Sequence, residues 1–509
     1  MCGILALFGE EVDAPSYLLT HRGPDDFARK RLGRCTMDFY RLAINDLTVT
    51  GMQPFTRDRK MLVCNGEIYN HKQFGFYDLK GTSDCEVLIP VIDSFGMFEA
   101  VKNYIKGDFA MVFTDGKRVQ AARDPYGVRP LFFTRYDEGS IAFGSEAKAL
   151  LFLNTEIHIF PPGHIYDSYV DDFVCYHNSY WSVNKCLVHN YHRALRETLE
   201  HAVHDRLETS ERGIGFLLSG GLDSSLIASI AARKLGTIKT FSIGLKGSPD
   251  LEAARVVAKF LKSDHTEVNF TTSEGISHIN DVIHTLESYD TTTVRASIPM
   301  WLLCRHIKQH TDCRYIFSGE GSDEILGGYL YFHNAPNVDA FACENMRRLR
   351  LIHQFDGLRA DRCAGAHGLD LIVPFLDKEF VEVCMTMNQK LKVDPVEKRV
   401  LREAFEGYLP DEVLLRRKDG MSDAVGTNWV DQLRAYAEKD ISDDKFREIR
   451  SRSKYHNVPL TKEEALYRSS FWKLFGRDND HLISEIWRPR WTTIKDPSAR
   501  LLLRETVVY

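Results

Sequence analysis

The chain has 509 residues, enough for roughly three domains of about 150 residues or for two larger ones. Hydrophobic residues make up 44% and charged residues 27%, the mixture of a globular protein that can bury a large core without disulfides or a structural metal. Lys and Arg number 65 against 71 Asp and Glu, and the resulting net charge of −6 argues against a nucleic-acid coat or a polybasic membrane anchor.

The apolar run at residues 4–8 falls far short of the roughly 20 residues that cross a bilayer. No basic region precedes it and Glu10 and Glu11 follow it, so no secretory signal is expected. Eleven cysteines, an odd number without a CxxC pair, read as reduced thiols of a cytoplasmic protein.

In chain order, residues 61–64, 110–113, 131–134 and 141–143 are short strand-type runs. Asn65-Gly66, Asp115-Gly116, Asp124-Pro125 and Glu138-Gly139 supply turn signals between them. This pattern predicts an N-terminal antiparallel β-sandwich with helices, closing near Pro161-Pro162-Gly163 and the polar stretch 176–184. An amphipathic helix is expected over 192–206, a buried strand over 215–218, a glycine-rich turn and a helix over 222–235. Strands at 240–243, 266–270 and 315–317 alternate with helical periodicity at 251–261, 276–286 and 299–310, the signature of a parallel α/β sheet. From about residue 335 the pattern is mostly helical. The reading is therefore a two-domain chain, α+β then α/β, divided as 1–185 and 186–509.

Cys2 follows the initiator Met and precedes the small Gly3. With Met1 removed, one residue carries both a thiol and a free α-amine, whose ordinary pKa values of about 8.5 and about 7.7–8.0 lie close to neutral pH. The amine can then serve as base for its own thiol. By position alone Cys2 also reads as an ordinary residue near a terminus.

Four further motifs follow in order: His21-Arg22-Gly23-Pro24-Asp25, Arg41-Leu42-Ala43-Ile44-Asn45, Asn65-Gly66-Glu67-Ile68-Tyr69-Asn70 and Ser83-Asp84-Cys85-Glu86. With Met1-Cys2-Gly3-Ile4 they resemble the glutaminase domain of class II, N-terminal-nucleophile glutamine amidotransferases. The resemblance implies that Cys2 is the nucleophile and that Arg41, Leu42, Ala43, Ile44, Asn45, Asn65, Gly66, Glu67 and Asp84 bind glutamine. Arg41 would take the α-carboxylate, as a guanidinium does bidentately. Asp84 and the Glu67 region would take the α-ammonium. The Asn65 amide and the Gly66 N–H would donate to the oxyanion. Without substrate an Asn-Gly pair is ordinarily a hairpin turn, and here the turn is expected to present the donors. Arg22 and Asp25 read equally as a structural ion pair or as site elements.

Ser219-Gly220-Gly221-Leu222-Asp223-Ser224-Ser225 follows an apolar strand and opens a helix, a context that makes an anion site of backbone N–H groups. No Lys-Ser/Thr follows the glycines, so it is not a Walker A loop. It resembles the pyrophosphate loop of N-type ATP pyrophosphatases, which implies that Asp223 holds Mg²⁺. N-capping by Asp223 and the serines is the plain alternative. A second cluster, Ser318-Gly319-Glu320-Gly321-Ser322-Asp323-Glu324, follows the 315–317 strand and should share the same sheet edge. Its plain alternative is an acidic first helical turn.

Both parts in this order, with Tyr289-Asp290-Thr291-Thr292-Thr293-Val294-Arg295, Pro374-Phe375-Leu376-Asp377 and Glu397-Lys398-Arg399, resemble the glutamine-dependent asparagine synthetases over nearly the whole chain. The resemblance implies ATP and Mg²⁺ as cofactors. Leu218, Ser219, Gly220, Gly221, Asp223, Ser224, Ile243, Ser318, Gly319 and Lys418 would line the ATP and pyrophosphate site. Asp223 and Asp323 would be the metal ligands, and Glu320 the group needed at the acyl-adenylate. Arg295 and Asp377 read as aspartate contacts or as structural residues, and Lys418 alternatively as a solvated charge. The expected reaction makes asparagine, glutamate, AMP and pyrophosphate from aspartate, glutamine, ATP and water. Its expected partners are those small molecules, with neither nucleic acid nor membrane, and a homodimer is compatible with the reading. Three departures stand out: a shorter Cys2–His21 segment, Met421 in place of a usual Phe, and the Asp124–Pro130 loop, which matches other class II amidotransferases equally well. A β-lactam synthetase would lack Cys2, an amidophosphoribosyltransferase would lack the Ser219–Ser225 loop, and a non-catalytic relative would have lost Cys2, Asp223 or Glu320. His306 and His310 have helical spacing but no third metal ligand.

Overall fold

The computed structural model describes residues 1–182, 190–416, 425–426, 428–453 and 455–493. The predicted boundary at 185/186 falls outside the described residues.

The N-terminal part carries twelve described strands: β1 (Gly3–Phe8), β2 (Asp26–Leu32), β3 (Cys35–Arg41), β4 (Phe55–Arg57), β5 (Lys60–Ile68), β6 (Gly107–Thr114), β7 (Val119–Arg123), β8 (Phe132–Arg135), β9 (Ile141–Gly144), β10 (His158–Ile159), β11 (His164–Asp167) and β12 (Asp172–Cys175). They form two six-stranded sheets, ordered β10-β8-β9-β1-β3-β2 and β12-β11-β7-β6-β5-β4. Their printed pairings are antiparallel, as expected from the short runs and frequent turns. Ile4, Phe39 and Phe143 from one sheet meet Val63, Val112 and Tyr166 from the other in one buried cluster, which makes the pair a sandwich. All six residues of β1 are buried, because it is central in its sheet and faces the second sheet. Such a continuous apolar run lacks the alternation that marks a half-exposed strand.

The expected hairpin turn at Asn65-Gly66 is not there. Both residues lie inside β5, opposite Ala110 and Phe109 of β6. Ladder pairing on β6 overrides the local turn propensity. Gly66 is needed for proximity, since a Cβ there would lie 2.3 Å from the Asp108 carbonyl oxygen.

The C-terminal part opens with the helix Tyr191–Leu207 and carries β13 (Gly213–Leu217), β14 (Lys239–Gly244), β15 (Asp264–Asn269), β16 (Cys313–Phe317) and β17 (Asp370–Ile372). These strands form a parallel sheet ordered β15-β14-β13-β16-β17. The order reverses between β13 and β16, so the crevice beyond their carboxyl ends is the place where such sheets bind ligands. Both glycine-rich loops leave the sheet there. The helix expected over 276–286 is two helices, Thr272–Ser277 and Ile279–Leu286, broken at His278. The helix expected over 299–310 begins earlier, at Thr291, where Asp290 caps it by accepting from the Thr293 N–H.

The two parts share a core. Leu42, Ile44 and Phe132 belong to the same buried cluster as Leu199, Ile316 and Leu371. Buried ion pairs cross the same boundary, among them Arg129 with Asp370 at 2.7 Å. Among the described residues no helix is long and apolar enough to cross a membrane, and the ten described cysteines are all free thiols.

Candidate active site

Cys2 immediately precedes β1 and packs against the sandwich core and against the core shared by the two parts. Its Sγ accepts from the Leu42 N–H at 3.4 Å, and the Arg22 Nε donates to its carbonyl at 3.0 Å. Burial pushes the thiol above its ordinary value, against the pull of the nearby terminal ammonium. Met1 is also buried, and its ammonium donates to the Leu369 carbonyl at 3.0 Å. Residues 9–25 between β1 and β2 contain turns and no helix, in keeping with the short Cys2–His21 segment.

Asn65 is fully buried, and neither atom of its side-chain amide has a hydrogen-bond partner. A buried amide left unpaired costs on the order of 1–3 kcal/mol. Such a group marks a place built for something else to fill. Glu67, two residues beyond Asn65 on β5, and Asp84 are two buried carboxyls near each other. Burial raises both above the ordinary carboxylate range, and for Glu67 the nearby Asp84 adds to the shift. Asp84 accepts from the Ile68 N–H at 2.6 Å, whereas Glu67 keeps Oε2 unpaired. Two neighbouring carboxyls held out of water favour a cation between them.

Arg41 ends β3 with its guanidinium turned to the 46–51 loop, donating to the Thr48 carbonyl at 2.7 Å and to the Asp46 carbonyl. Leu42 reaches the thiol through its backbone, and the Ala43 N–H donates to Asp25 at 2.9 Å. Ile44 accepts from the Glu211 N–H at 2.9 Å. Asn45 follows them at half-burial. Arg22 and Asp25 do not pair with each other. Arg22 binds Glu146 and Asp361, and Asp25 caps the Ala43 N–H, so Arg22 is both a structural ion-pair member and a support for Cys2.

At the reversal of the parallel sheet lies a cavity of about 210 Å³. Leu218, Ser219, Gly221, Asp223, Ser224, Ile243, Ser318, Gly319, Glu320 and Asp323 all line it. Gly220 sits behind it at φ +71°, where a Cβ would lie 2.4 Å from the Ala253 backbone. Gly221, not Asp223 or a serine, is the N-cap of Leu222–Leu235, and no side chain caps that helix. The capping alternative therefore fails, and a helix N-terminus without a side-chain cap borders the cavity, a place that favours an anion. Lys418, like Met421, lies outside the described residues.

The Lys398 ammonium stands 2.6 Å from Asp223 Oδ2 and 2.5 Å from Asp323 Oδ1. Two carboxylates from opposite loops thus converge on one buried cation. That donor set of hard oxygens fits Mg²⁺. Glu320 accepts from Arg359 Nη2 at 2.6 Å, and Arg359 also pairs with Asp356. Lys398, Arg359, Arg402 and Arg416 all line the cavity. Sequence reasoning assigned none of them a role. The only signal for Lys398, Arg359 and Arg416 lies in the motifs that contain them, Glu397-Lys398-Arg399, Arg359-Ala360-Asp361-Arg362 and Arg416-Arg417-Lys418.

Arg295 and Asp377 are both held in buried ion pairs. Arg295 binds Glu463 through both prongs at 2.7 and 2.6 Å. Asp377 accepts from the Glu379 N–H to cap Lys378–Thr386 and pairs with Arg206 at 2.9 Å. Neither lines the cavity at the sheet reversal.

The glutamine amidotransferase domain family matches residues 1–200, and the asparagine synthase family matches residues 194–353 and 337–503. The chain is 42% identical to a probable glutamine-hydrolysing asparagine synthetase of Schizosaccharomyces pombe, over 98% of both chains. It is 39% identical to the glutamine-hydrolysing asparagine synthetase of Zea mays, over 99% of this chain and 93% of that one. A probable glutamine-hydrolysing asparagine synthetase of Dictyostelium discoideum is also 39% identical, over 98% of each chain. With a sandwich that carries a half-buried Cys2 and an unpaired, buried Asn65 amide, and a parallel sheet whose two loops meet over Lys398, the chain belongs to the glutamine-hydrolysing asparagine synthetase family.

Proposed function

We propose that the chain converts aspartate, glutamine, ATP and water into asparagine, glutamate, AMP and pyrophosphate, with the two half-reactions on separate parts. The observation that carries this reading is the meeting of Asp223 and Asp323 on one cation at the sheet reversal, in a chain that also holds a half-buried Cys2 thiol.

In the N-terminal part the Cys2 sulfur attacks the carboxamide carbon of glutamine. Removal of Met1 frees the Cys2 α-amine to take the thiol proton and pass it to the departing nitrogen as ammonia. The Asn65 amide and the Gly66 N–H donate to the oxyanion of the tetrahedral intermediate. The unpaired buried amide of Asn65 supports that role. Glu67 and Asp84 hold the α-ammonium of glutamine, and Arg41 turns from the loop carbonyls to its α-carboxylate. Water hydrolyses the resulting glutamyl thioester.

In the C-terminal part the β-carboxylate of aspartate attacks the α-phosphorus of ATP and expels pyrophosphate, leaving β-aspartyl-AMP. The Ser219–Ser224 loop and the open helix end cradle the phosphates. Asp223 and Asp323 are the residues that would hold Mg²⁺, which screens phosphate charge when bound. Ammonia attacks the acyl carbon, Glu320 accepts a proton, and AMP leaves. Arg359 fixes the Glu320 carboxylate for that task. Lys398, and by the family resemblance Lys418, would contact the phosphates.

The test is a product assay on the purified chain. Asparagine and AMP should form in equal amounts only when aspartate, Mg-ATP and a nitrogen source are all present. Glutamine hydrolysis without either product would contradict the reading.

A further inference from the structure

Outside the lining of the sheet-reversal cavity, the edge strand β10 of the first sheet faces the turn Asp478–Leu482 of the C-terminal part. Glu156 lies two residues before His158, the first residue of β10. His481 approaches from the turn, its ring centroid 5.8 Å from that of His158. One carboxylate oxygen and one nitrogen from each imidazole all lie within 4.8 Å of one another. Among the described residues this is the one such group of three His, Cys, Asp or Glu side chains.

A second observation concerns His481 alone. Its Nδ1 lies 2.8 Å from the Asp478 carbonyl oxygen and its Nε2 2.7 Å from the Ile157 carbonyl oxygen. A neutral imidazole has a single N–H, so one of these contacts sets a nitrogen lone pair against an oxygen lone pair. Turning Nε2 from Ile157 toward a cation removes the conflict. Nδ1–H then donates to Asp478, the carbonyl support that metal-ligating histidines ordinarily have. Glu156 Oε1 is already 3.8 Å from Nε2. A cavity of about 430 Å³ opens beside Glu156 and His158 and gives an ion access. Arg135 also lines it, but Asp171 pairs with that guanidinium at 2.7 Å.

We propose that Glu156, His158 and His481 bind a divalent transition-metal cation of the zinc class, which clamps β10 to the 478–482 turn and so joins the two parts of the chain. Two imidazoles and one carboxylate with a water in fourth position form a tetrahedral zinc set, with metal–ligand distances of about 2.0–2.2 Å. Small side-chain rotations bring donors now within 4.8 Å of one another to that spacing. The site takes no part in either half-reaction; its effect is on the junction.

Zinc chloride is the probe. The full chain and its His158→Gln, His481→Gln and Glu156→Gln forms, all carrying Cys2→Ala so that this thiol takes no zinc, are equilibrated with chelator-buffered zinc and their metal is counted by atomic emission. The parent should hold one equivalent more than either histidine variant, and the glutamate variant should bind at least about tenfold more weakly. Zinc should also raise the unfolding temperature of the parent but not of the histidine variants. Equal zinc contents would overturn the proposal. So would an unfolding temperature that ignores zinc. If a variant fails to fold, the cobalt(II) spectrum of the parent decides: a tetrahedral band without thiolate charge transfer supports the site, and any other spectrum overturns it.

Discussion

Arg22 and Asp361 form a two-pronged ion pair across the junction of the two parts, Nη1 to Oδ2 at 2.7 Å and Nη2 to Oδ1 at 3.0 Å. Both side chains are buried, and the same guanidinium reaches Glu146 and the Cys2 carbonyl. Removing one partner leaves an unpaired buried charge, which costs about 3–5 kcal/mol. Arg22→Ala should therefore lower the unfolding free energy by that order in a denaturant titration. Asp361→Asn should cost less, because Glu146 still balances the arginine. In the folded fraction of Arg22→Ala, glutamine hydrolysis should fall further than ammonia-dependent synthesis, since only the former uses Cys2.

Asn65 is the opposite case, a buried group with nothing to lose in the resting protein. Asn65→Ala should cut glutaminase kcat by about 10²–10³-fold, the effect of removing one oxyanion donor. Its unfolding midpoint should stay level or rise, because an unpaired amide has been taken out of the interior. A fall in both together would mean that Asn65 is structural.

Asp223 and Asp323 converge on Lys398. Replacing either aspartate by Asn should reduce AMP formation by at least about 100-fold, as expected when several kcal/mol of charge stabilisation on the phosphates is lost. Glutaminase activity should persist. Equilibrium dialysis with Mn²⁺ and ATP should show weaker metal binding in both variants.

Three histidines make the fold sensitive to acid. Burial lowers His353 to about 3 and His177 and His367 to about 4 from an ordinary 6.5. The unfolded chain thus binds a proton at a pH where the native one does not. Their stabilisation is complete above about pH 6.5 and is lost as pH falls through about 4 toward 3. His353→Gln should flatten the loss of stability between pH 6.5 and 4 by on the order of 1–3 kcal/mol, read from unfolding free energies at both pH values.

The helix Leu222–Leu235 and the parallel strands around it are legible in the sequence, because an apolar strand, a glycine turn and a helix lie within one short segment. The same locality makes the Ser219 and Ser318 loops legible as partners of one sheet edge. Asn65-Gly66 misleads for the converse reason: its turn propensity is local, while its pairing with Ala110 and Phe109 comes from a distant strand. Lys398 and Arg359 are invisible as site residues for a related reason. Each enters the cavity from a segment outside both loops, and Lys398 meets Asp223 across 175 residues of chain. Arg295 and Asp377 carry the charge of site residues, and only burial with Glu463 and Arg206 shows what they pair with.

The central claim is that glutamine chemistry at Cys2 and adenylation at the sheet reversal are separable. Cys2→Ala, assayed side by side with glutamine and with ammonium as nitrogen source, tests it most directly. The account predicts no asparagine from glutamine and undiminished asparagine and AMP from ammonium. Loss of ammonium-dependent synthesis in a folded Cys2→Ala protein, or asparagine still made from glutamine, would contradict it.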